Sequence, residues 1–454
     1  MLTELSATNF KSWKSIDRMR LAPITGLFGT NSSGKTSILQ LLLMLRQTVE
    51  SSDRSAVLEF GGERSFAQLG GFRDVIFAHN LDVLLGIQLC WQLPKLIEVD
   101  DPNNVRKTLF SGENLCFATE VRSSGGDKLF VQELSYDLEG NKFVMGRKNS
   151  TGAKYEIYSE ADGFAFKRTV GRVWDLPAPT KCYGFPDQTF AYFQNASFLG
   201  DLQLAFEELF GRLFYLGPLR DFPQRHYVWS GSEPADMGRR GERAIDAVLA
   251  SRERGKYISP GRKRRKQSLE ERVAHWLKEL GLISSFSVKA IAKGSNLYEV
   301  RVKKSAHSSE VLITDVGFGV SQVLPVIVLC NYVPEGSTIL LEQPEIHLHP
   351  SVQSGLADVL IDAVRNRNLQ IILESHSEHL LRRIQRRIAE ESLKPEEVAL
   401  FFCDVTQGES VLSSLEIDLF GNISNWPRDF FGDEFGEMAA MTEAAVRRKQ
   451  AREA

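Results

Sequence analysis

The sequence predicts an α/β chain. It has a head of mixed sheet and helices, an inserted β-rich region and a short C-terminal domain. Three observations carry this. A short apolar run, Ile24–Gly29, leads through a loop into residues 35–49, which contain no Gly or Pro. Residues from about 61 to 211 alternate apolar and polar side chains over short runs. From 311 to 403, strand-like and helix-like segments take turns.

The elements follow in order. The helix at 35–49 is apolar almost all round (Ile38, Leu39, Leu41, Leu42, Leu43, Leu45), which calls for burial against a sheet. In the middle region, runs at 128–138, 142–145 and 155–158 are separated by turn clusters: Asp101-Pro102-Asn103-Asn104, Ser123-Ser124-Gly125-Gly126 and Glu139-Gly140-Asn141. That pattern predicts hairpins. No heptad run is present, so no long coiled-coil arm is expected. Residues 239–272 hold twelve Lys/Arg and five Asp/Glu, a local net of +7 centred on 262–266. Ser268-x-x-Glu271 directly after it is a capping box opening a helix at 269–280. Strands at 338–341, 370–373 and 398–403 then alternate with helices at 321–331, 351–364 and 378–389. Residues 420–454 read as an aromatic-rich end and an Ala/Arg/Glu-rich helix.

Composition narrows the class. A chain of 454 residues fits two or three lobes. Apolar residues make up 43% and charged residues 25%, ordinary globular usage that rules out a disordered chain. The net charge of −3 does not advertise a nucleic-acid binder. The longest apolar runs, 38–45 and 323–330, are far short of the roughly 20 residues a membrane helix needs. The first residues, MLTELSATNFKSWKS, show no apolar signal-peptide core. Cys90, Cys116, Cys182, Cys330 and Cys403 are scattered without CxxC spacing. They are expected to be reduced and metal-free, in a cytoplasmic protein.

Gly29-Thr30-Asn31-Ser32-Ser33-Gly34-Lys35-Thr36 fits GxxxxGK[ST], between an apolar strand and a buried helix. Backbone N–H groups of Asn31, Ser32, Ser33, Gly34, Lys35, Thr36 and Ser37 are candidates to wrap the phosphates of ATP. Lys35 would reach the β/γ-phosphates, the Thr36 hydroxyl would hold Mg²⁺, and the helix dipole favours the anion. The competing reading is a Gly-Ser turn before a helix. Thr338-Ile339-Leu340-Leu341-Glu342 is an apolar strand ending in a carboxylate, the geometry of a Walker B acid on the Mg²⁺ shell; the alternative is a buried strand with a surface acid.

These motifs combine with Gly317-Phe318-Gly319-Val320-Ser321-Gln322, then Glu342-Gln343-Pro344-Glu345-Ile346-His347-Leu348-His349-Pro350, then Glu374-Ser375-His376-Ser377-Glu378-His379. The order resembles ABC-type P-loop ATPases, and more narrowly their SMC/RecF/OLD-like branch. The ending Gly421-Asn422-Ile423-Ser424-Asn425-Trp426-Pro427, then Phe430-Phe431-Gly432-Asp433-Glu434, resembles a bacterial AAA-labelled subfamily whose C-terminal piece is a domain of unknown function. The likeness covers the first 80 residues and about 215–454 and is weak between.

The resemblance implies roles. Ser321 matches the phosphate-contacting serine of the signature loop, which in this class completes the ATP site of a second protomer. ATP would then hold together a head-to-tail homodimer or a higher homo-oligomer. His376 matches the switch histidine on the γ-phosphate. One departure matters: the catalytic glutamate expected after Glu342 is replaced by Gln343. An amide can orient a water but cannot take its proton. Either Glu345 supplies the carboxylate, or turnover is slow. Gln68 is the candidate Gln-loop residue, against an ordinary surface glutamine. Arg220, in Tyr215-Leu216-Gly217-Pro218-Leu219-Arg220, is either a phosphate or partner ligand or a structural arginine.

The expected organisation is an N-terminal part of the ATPase head at 1–80, a β-rich insertion at 81–214, a linking region with the basic loop at 215–310, the C-terminal part of the head at 311–410, and a small domain at 411–454. The expected function is ATP-driven dimerisation that controls nucleic acid or a partner effector, in antiphage defence or genome maintenance. The alternative is a non-hydrolysing nucleotide switch that scaffolds a separate nuclease or toxin. The basic run 262–266 is the candidate DNA or RNA contact, against a plain solvated loop. Arg382, Arg383, Arg386 and Arg387 form a second basic face, with an exposed helical face as the simpler reading. A transporter subunit fits poorly, since the signature lacks the LSGGQ spelling and Lys35 and Glu342 lie about 300 residues apart. A built-in nuclease is not expected, because only 78 residues follow His376.

Overall fold

The computed structural model describes residues 1–101, 104–125, 128–148, 154–171, 174–261, 264–427, 430 and 434–453. Two sheets dominate. The first is antiparallel and contains β1 (Leu2–Phe10), β2 (Trp13–Arg20), β4 (Leu85–Asp101), β5 (Asn104–Ser123), β6 (Leu129–Leu138), β7 (Asn141–Arg147) and β8 (Tyr155–Ser159), in the order β2-β1-β4-β5-β6-β7-β8. The chain leaves it through β3 (Ile24–Gly29), the central strand of the second sheet.

The second sheet also holds β9 (Leu213–Leu216), β12 (Thr338–Glu342), β13 (Gln370–Glu374), β14 (Val398–Thr406) and β15 (Glu409–Leu415). Its order is β15-β14-β3-β13-β12-β9, parallel except for the edge strand β15. A hairpin, β10 (Ser285–Ala290) and β11 (Leu297–Lys303), stands apart from both sheets.

The parallel strands are apolar at successive positions because both faces are covered. Side-chain parity decides which core each residue enters. Leu340, Ile372 and Phe401 face α1 (Lys35–Glu50), α2 (Phe198–Gly211) and the antiparallel sheet. Ile339, Leu341, Ile371, Leu373 and Leu400 face the other core. That core is built with α3 (Ala244–Glu253), α4 (Leu269–Glu279), α5 (Gly319–Tyr332), α6 (Pro350–Arg367) and α7 (Glu378–Ala389). α1 is thus enclosed between the two sheets, which explains its all-round apolar surface. On the helical side, buried Arg272 joins three helices: it donates to Asn331 over 3.2 Å and pairs with Asp362.

Several sequence expectations change. β4 to β8, from the region read as an insertion, extend the sheet that β1 and β2 begin. Two helices, Asp187–Tyr192 and α2, lie within the stretch read as hairpins. The cysteines are not all reduced: Cys90 and Cys116 form a disulfide, while Cys182, Cys330 and Cys403 are free and buried. The two sulfurs meet because Cys90 and Cys116 sit opposite each other on β4 and β5. Their separation of 26 residues is set by strand length, which motif spacing does not detect. Among the described residues no helix is long and apolar enough to cross a membrane.

The C-terminal segment packs onto the head. Phe430 lies 4.9 Å from Phe402 and 6.0 Å from Phe28, ring to ring, and 4.9 Å from Trp426. Gln385 of α7 donates to Gly421 O over 2.8 Å. The last helix, α8 (Glu434–Glu453), follows. Phe431, Gly432 and Asp433 of the quoted motif lie outside the described residues.

Candidate ATP site at the strand ends

The phosphate-loop sequence occupies the turn from β3 into α1. Two glycines there are obligatory. Gly29 has φ +130°, and a Cβ on it would come 1.9 Å from Cys403 O. Gly34 has φ +89°, and a Cβ would meet Ser410 Oγ at 2.6 Å and Trp13 Nε1 at 2.7 Å. Trp13 Nε1 donates to Gly34 O over 3.0 Å, so the first hairpin braces the loop. Ser33 Oγ donates to Thr30 O over 2.8 Å. The Lys35 ammonium donates to Thr30 O at 2.6 Å and Gly29 O at 3.1 Å. Burial lowers its pKa and the nearby Glu374 carboxylate works the other way.

The carboxylates arrive on adjacent strands. Glu342 ends β12 and Glu374 ends β13, paired in register. Thr36 Oγ1 donates to Glu374 Oε2 over 2.7 Å. Glu342 is pushed up to about 7, first by burial and next by the Glu374 charge, with the Tyr215 hydroxyl, Arg220 and Arg239 acting in the opposite sense. Lys11, at the β1–β2 turn, contacts Gln40 and feels the Glu342 charge.

Beyond Glu342 the chain turns sharply. Gln343 has φ +41° and its N–H bonds Glu374 O over 2.9 Å. Pro344 follows, outside the strand, and Glu345 turns into the protein, 6% exposed. Its Oε1 accepts from Ser375 Oγ at 2.8 Å and from His376 N at 2.7 Å, while its buried Oε2 has no partner in the protein. Burial raises the Glu345 pKa. The His376 side chain sits where burial, then Lys35, lowers its pKa. Ser377 caps α7 by accepting from Leu380 N over 3.0 Å.

The geometry therefore gathers residues 31–37, Glu342, Gln343, Glu345 and His376 at the carboxyl ends of β3, β12 and β13. It adds Glu374, Tyr215 and Lys11, which sequence reasoning did not assign. The signal for Glu374 was present: it opens the Glu374-Ser375-His376-Ser377 segment and ends a strand. Gln68 lines a cleft of about 230 Å³ together with Gln40, Tyr215, Arg239 and Glu342. Arg220 is buried, and burial pulls its pKa down to about 10.

Ser321 stands elsewhere, in the first turn of α5, with its hydroxyl donating to Phe318 O over 2.7 Å. Exposed Phe318 lies 5.5 Å from the His347 ring. The arginines of α7 are all engaged: Arg383 and Arg387 with Asp358, Arg386 with Glu390, Arg382 with Glu378 and over Trp426. That favours the exposed-helix reading over a phosphate track. In the basic run, Arg262 and Lys263 lie outside the described residues. Arg264, Arg265 and Lys266 are exposed, and Arg265 Nη2 lies 3.6 Å from Glu271 Oε1.

Thr36 and the two carboxylates form an oxygen-only set, which suits Mg²⁺. That ion is commonly held by one or two carboxylates together with substrate phosphates.

A model of the AAA ATPase domain matches residues 253–381, which span Glu342, Glu345 and His376. A model of a protein of unknown function, DUF3696, matches residues 393–441. Residues 253–381 are thus similar to an AAA ATPase domain and residues 393–441 to DUF3696. β3, the phosphate loop and α1 lie N-terminal to the first matched segment and join it in one sheet through the pairing of β3 with β13. No curated protein matches the chain. Among solved structures, an Smc head bound to the C-terminal winged-helix domain of ScpA is similar at 12% identity and TM-score 0.44, covering 91% of this chain and 98% of that one. An SMC head domain from Thermotoga maritima is similar at 10% identity and TM-score 0.41, covering 92% and 99%. A Pyrococcus furiosus Smc head with an extended coiled coil, bound to a ScpA domain, gives 11% and 0.42, covering 91% and 96%.

Proposed function

We propose that this protein binds and hydrolyses ATP with Mg²⁺. The observation that carries the reading is the hydrogen bond from Thr36 to Glu374, beside Glu342 and directly after the phosphate loop. In this reading Lys35 leaves the Thr30 carbonyl for the β/γ-phosphates, and the first N–H groups of α1 face the anion. Thr36 and Glu342 would hold the Mg²⁺, which neutralises charge on the phosphate oxygens. His376 donates to the γ-phosphate from the end of β13.

Gln343 orients water without accepting its proton, and Glu345 supplies the carboxylate. Turnover is expected to be slow. ATP joins two protomers head to tail, with the Gly317–Gln322 segment of one reaching the phosphates of the other. The assembly controls a separate effector, a nuclease or toxin, and the basic run at 262–266 contacts DNA or RNA phosphates. The fitting setting is antiphage defence or genome maintenance, in the cytoplasm.

A second reading is favoured by Gln343: a nucleotide switch that binds ATP without cleaving it and scaffolds the effector. Single-turnover measurement with protein in excess over ATP and Mg²⁺ separates the two. Formation of ADP and phosphate supports hydrolysis; ATP recovered intact from the complex supports the switch.

A further inference from the structure

Two buried groups near Glu342 lack partners, and they are complementary. Arg220 is 6% exposed, and none of its Nε, Nη1 and Nη2 atoms has a hydrogen-bond partner in the protein. Oε2 of Glu345 is equally buried and equally alone. Arg220 lies in the electrostatic field of Glu345, Glu342 and Tyr215, yet no ion pair joins it to either carboxylate. An unpartnered guanidinium in a protein interior is strongly disfavoured, so such an arrangement calls for a ligand.

The backbone that carries each group is fixed. Gly217 N bonds Arg239 O over 2.9 Å and Asp221 N bonds Arg240 O over 3.1 Å, pinning the chain on either side of Arg220. Glu345 is fixed by Ser375, by His376 N, and by Leu348 N on its own carbonyl at 3.1 Å. A guanidinium offers only donors and a carboxylate only acceptors, so a molecule bridging them must both accept and donate. Water does both.

We propose that Arg220 and Glu345 Oε2 hold the hydrolytic water, with Arg220 as a catalytic residue of the ATPase reaction. The assignment rests on the reading of the chain as an ATPase, and deepens it by naming what compensates for Gln343. Arg220 donates to the water oxygen, and the water donates one proton to Glu345 Oε2. A lone pair then faces the γ-phosphate, on the His376 side of Glu345. In the step itself the water oxygen bonds the γ-phosphorus. The bond from that phosphorus to the β,γ-bridging oxygen breaks, and ADP leaves with its electron pair. The water proton passes to Glu345 Oε2 and then to solvent.

The test compares the full-length protein with Arg220→Met, Arg220→Lys and Lys35→Ala in steady-state ATPase assays, ATP-binding titrations and thermal melts. Arg220→Met is expected to lose about 100-fold in kcat while its ATP affinity stays within about threefold. Its melting temperature should not fall, because an apolar isostere removes an unpaired buried charge. Arg220→Lys should recover part of kcat through its single ammonium. Guanidinium ion added to an Arg220→Ala variant should raise kcat there and not in Lys35→Ala.

Arg220→Met turning over like the unaltered protein overturns the assignment and leaves the ATPase reading standing. So does a loss confined to ATP affinity, or a lowered melting temperature, which would mark Arg220 as a structural residue. An unaltered protein that never cleaves ATP overturns both.

Discussion

Thr36 Oγ1 lies 2.7 Å from Glu374 Oε2, so the first turn of α1 is tied to the strand end beside Glu342. This bond joins residues 338 positions apart and fixes the phosphate loop against Glu374. Thr36→Val keeps the shape and removes the hydroxyl. It is expected to weaken ATP binding about tenfold or more in Mg²⁺ and to leave metal-free ATP binding nearly unchanged. Titration of ATP with and without Mg²⁺ checks this; an equal loss in both conditions would place Thr36 outside the metal shell.

Glu342 makes stability depend on pH. Its pKa is raised to about 7 from an ordinary 4.5, by burial first and the Glu374 charge second. The folded protein therefore keeps a proton between those values that the unfolded chain releases. Stability from this group falls as pH rises through that window and is flat above about 7. Glu342→Gln removes the slope and should stabilise the nucleotide-free protein at pH 8 by on the order of a few kcal/mol. Urea unfolding at pH 5 and pH 8 reads the effect. A variant no more stable than the parent at pH 8 contradicts it.

Lys181 closes the far end of α1. Its buried ammonium donates to Thr48 O at 2.7 Å, Val49 O at 3.1 Å and Ser51 O at 2.7 Å, a cation on the negative end of the helix. Lys181→Met leaves these carbonyls uncapped and should cost about 2–4 kcal/mol in denaturant unfolding. An unchanged midpoint would show that solvent replaces the lysine.

Much of this fold is legible because period and punctuation agree. Ile24–Gly29 and Glu378–Ala389 have the bounds that their apolar patterns and flanking residues indicate, and the Ser268–Glu271 capping box forms as read. The phosphate loop is readable because its glycines answer to backbone φ and close approach. What escaped depends on partners distant in sequence. Cys90 meets Cys116 only through strand register. Glu374 becomes part of the site through Thr36. Arg382, Arg383, Arg386 and Arg387 look like a free basic face until Asp358, Glu378 and Glu390 are placed beside them. α2 was hidden in a β-rich context, although Leu202, Phe206 and Phe210 repeat at helical spacing.

In the proposed head-to-tail dimer, Ser321 would meet the ATP of the partner protomer. Its hydroxyl is turned onto Phe318 O, while Gly317 and Phe318 stand exposed at the start of α5. Ser321→Arg should block ATP-driven dimerisation while each protomer still binds ATP. Light scattering with and without ATP reads this, with nucleotide trapping measured alongside. A dimer that forms equally well in the variant contradicts the head-to-tail arrangement.

The central claim is that the loop from Gly29 to Thr36 binds ATP phosphates, and Lys35→Ala tests it most directly. Lys35 is the only charged residue in that loop, with its ammonium held at the Thr30 and Gly29 carbonyls. Calorimetric titration of the unaltered protein and of Lys35→Ala with Mg²⁺ and ATP is the measurement. The unaltered protein is expected to bind saturably, and Lys35→Ala to lose about 100-fold or more in affinity, with turnover abolished. Equal ATP affinity and turnover in the two proteins would contradict the ATPase reading outright.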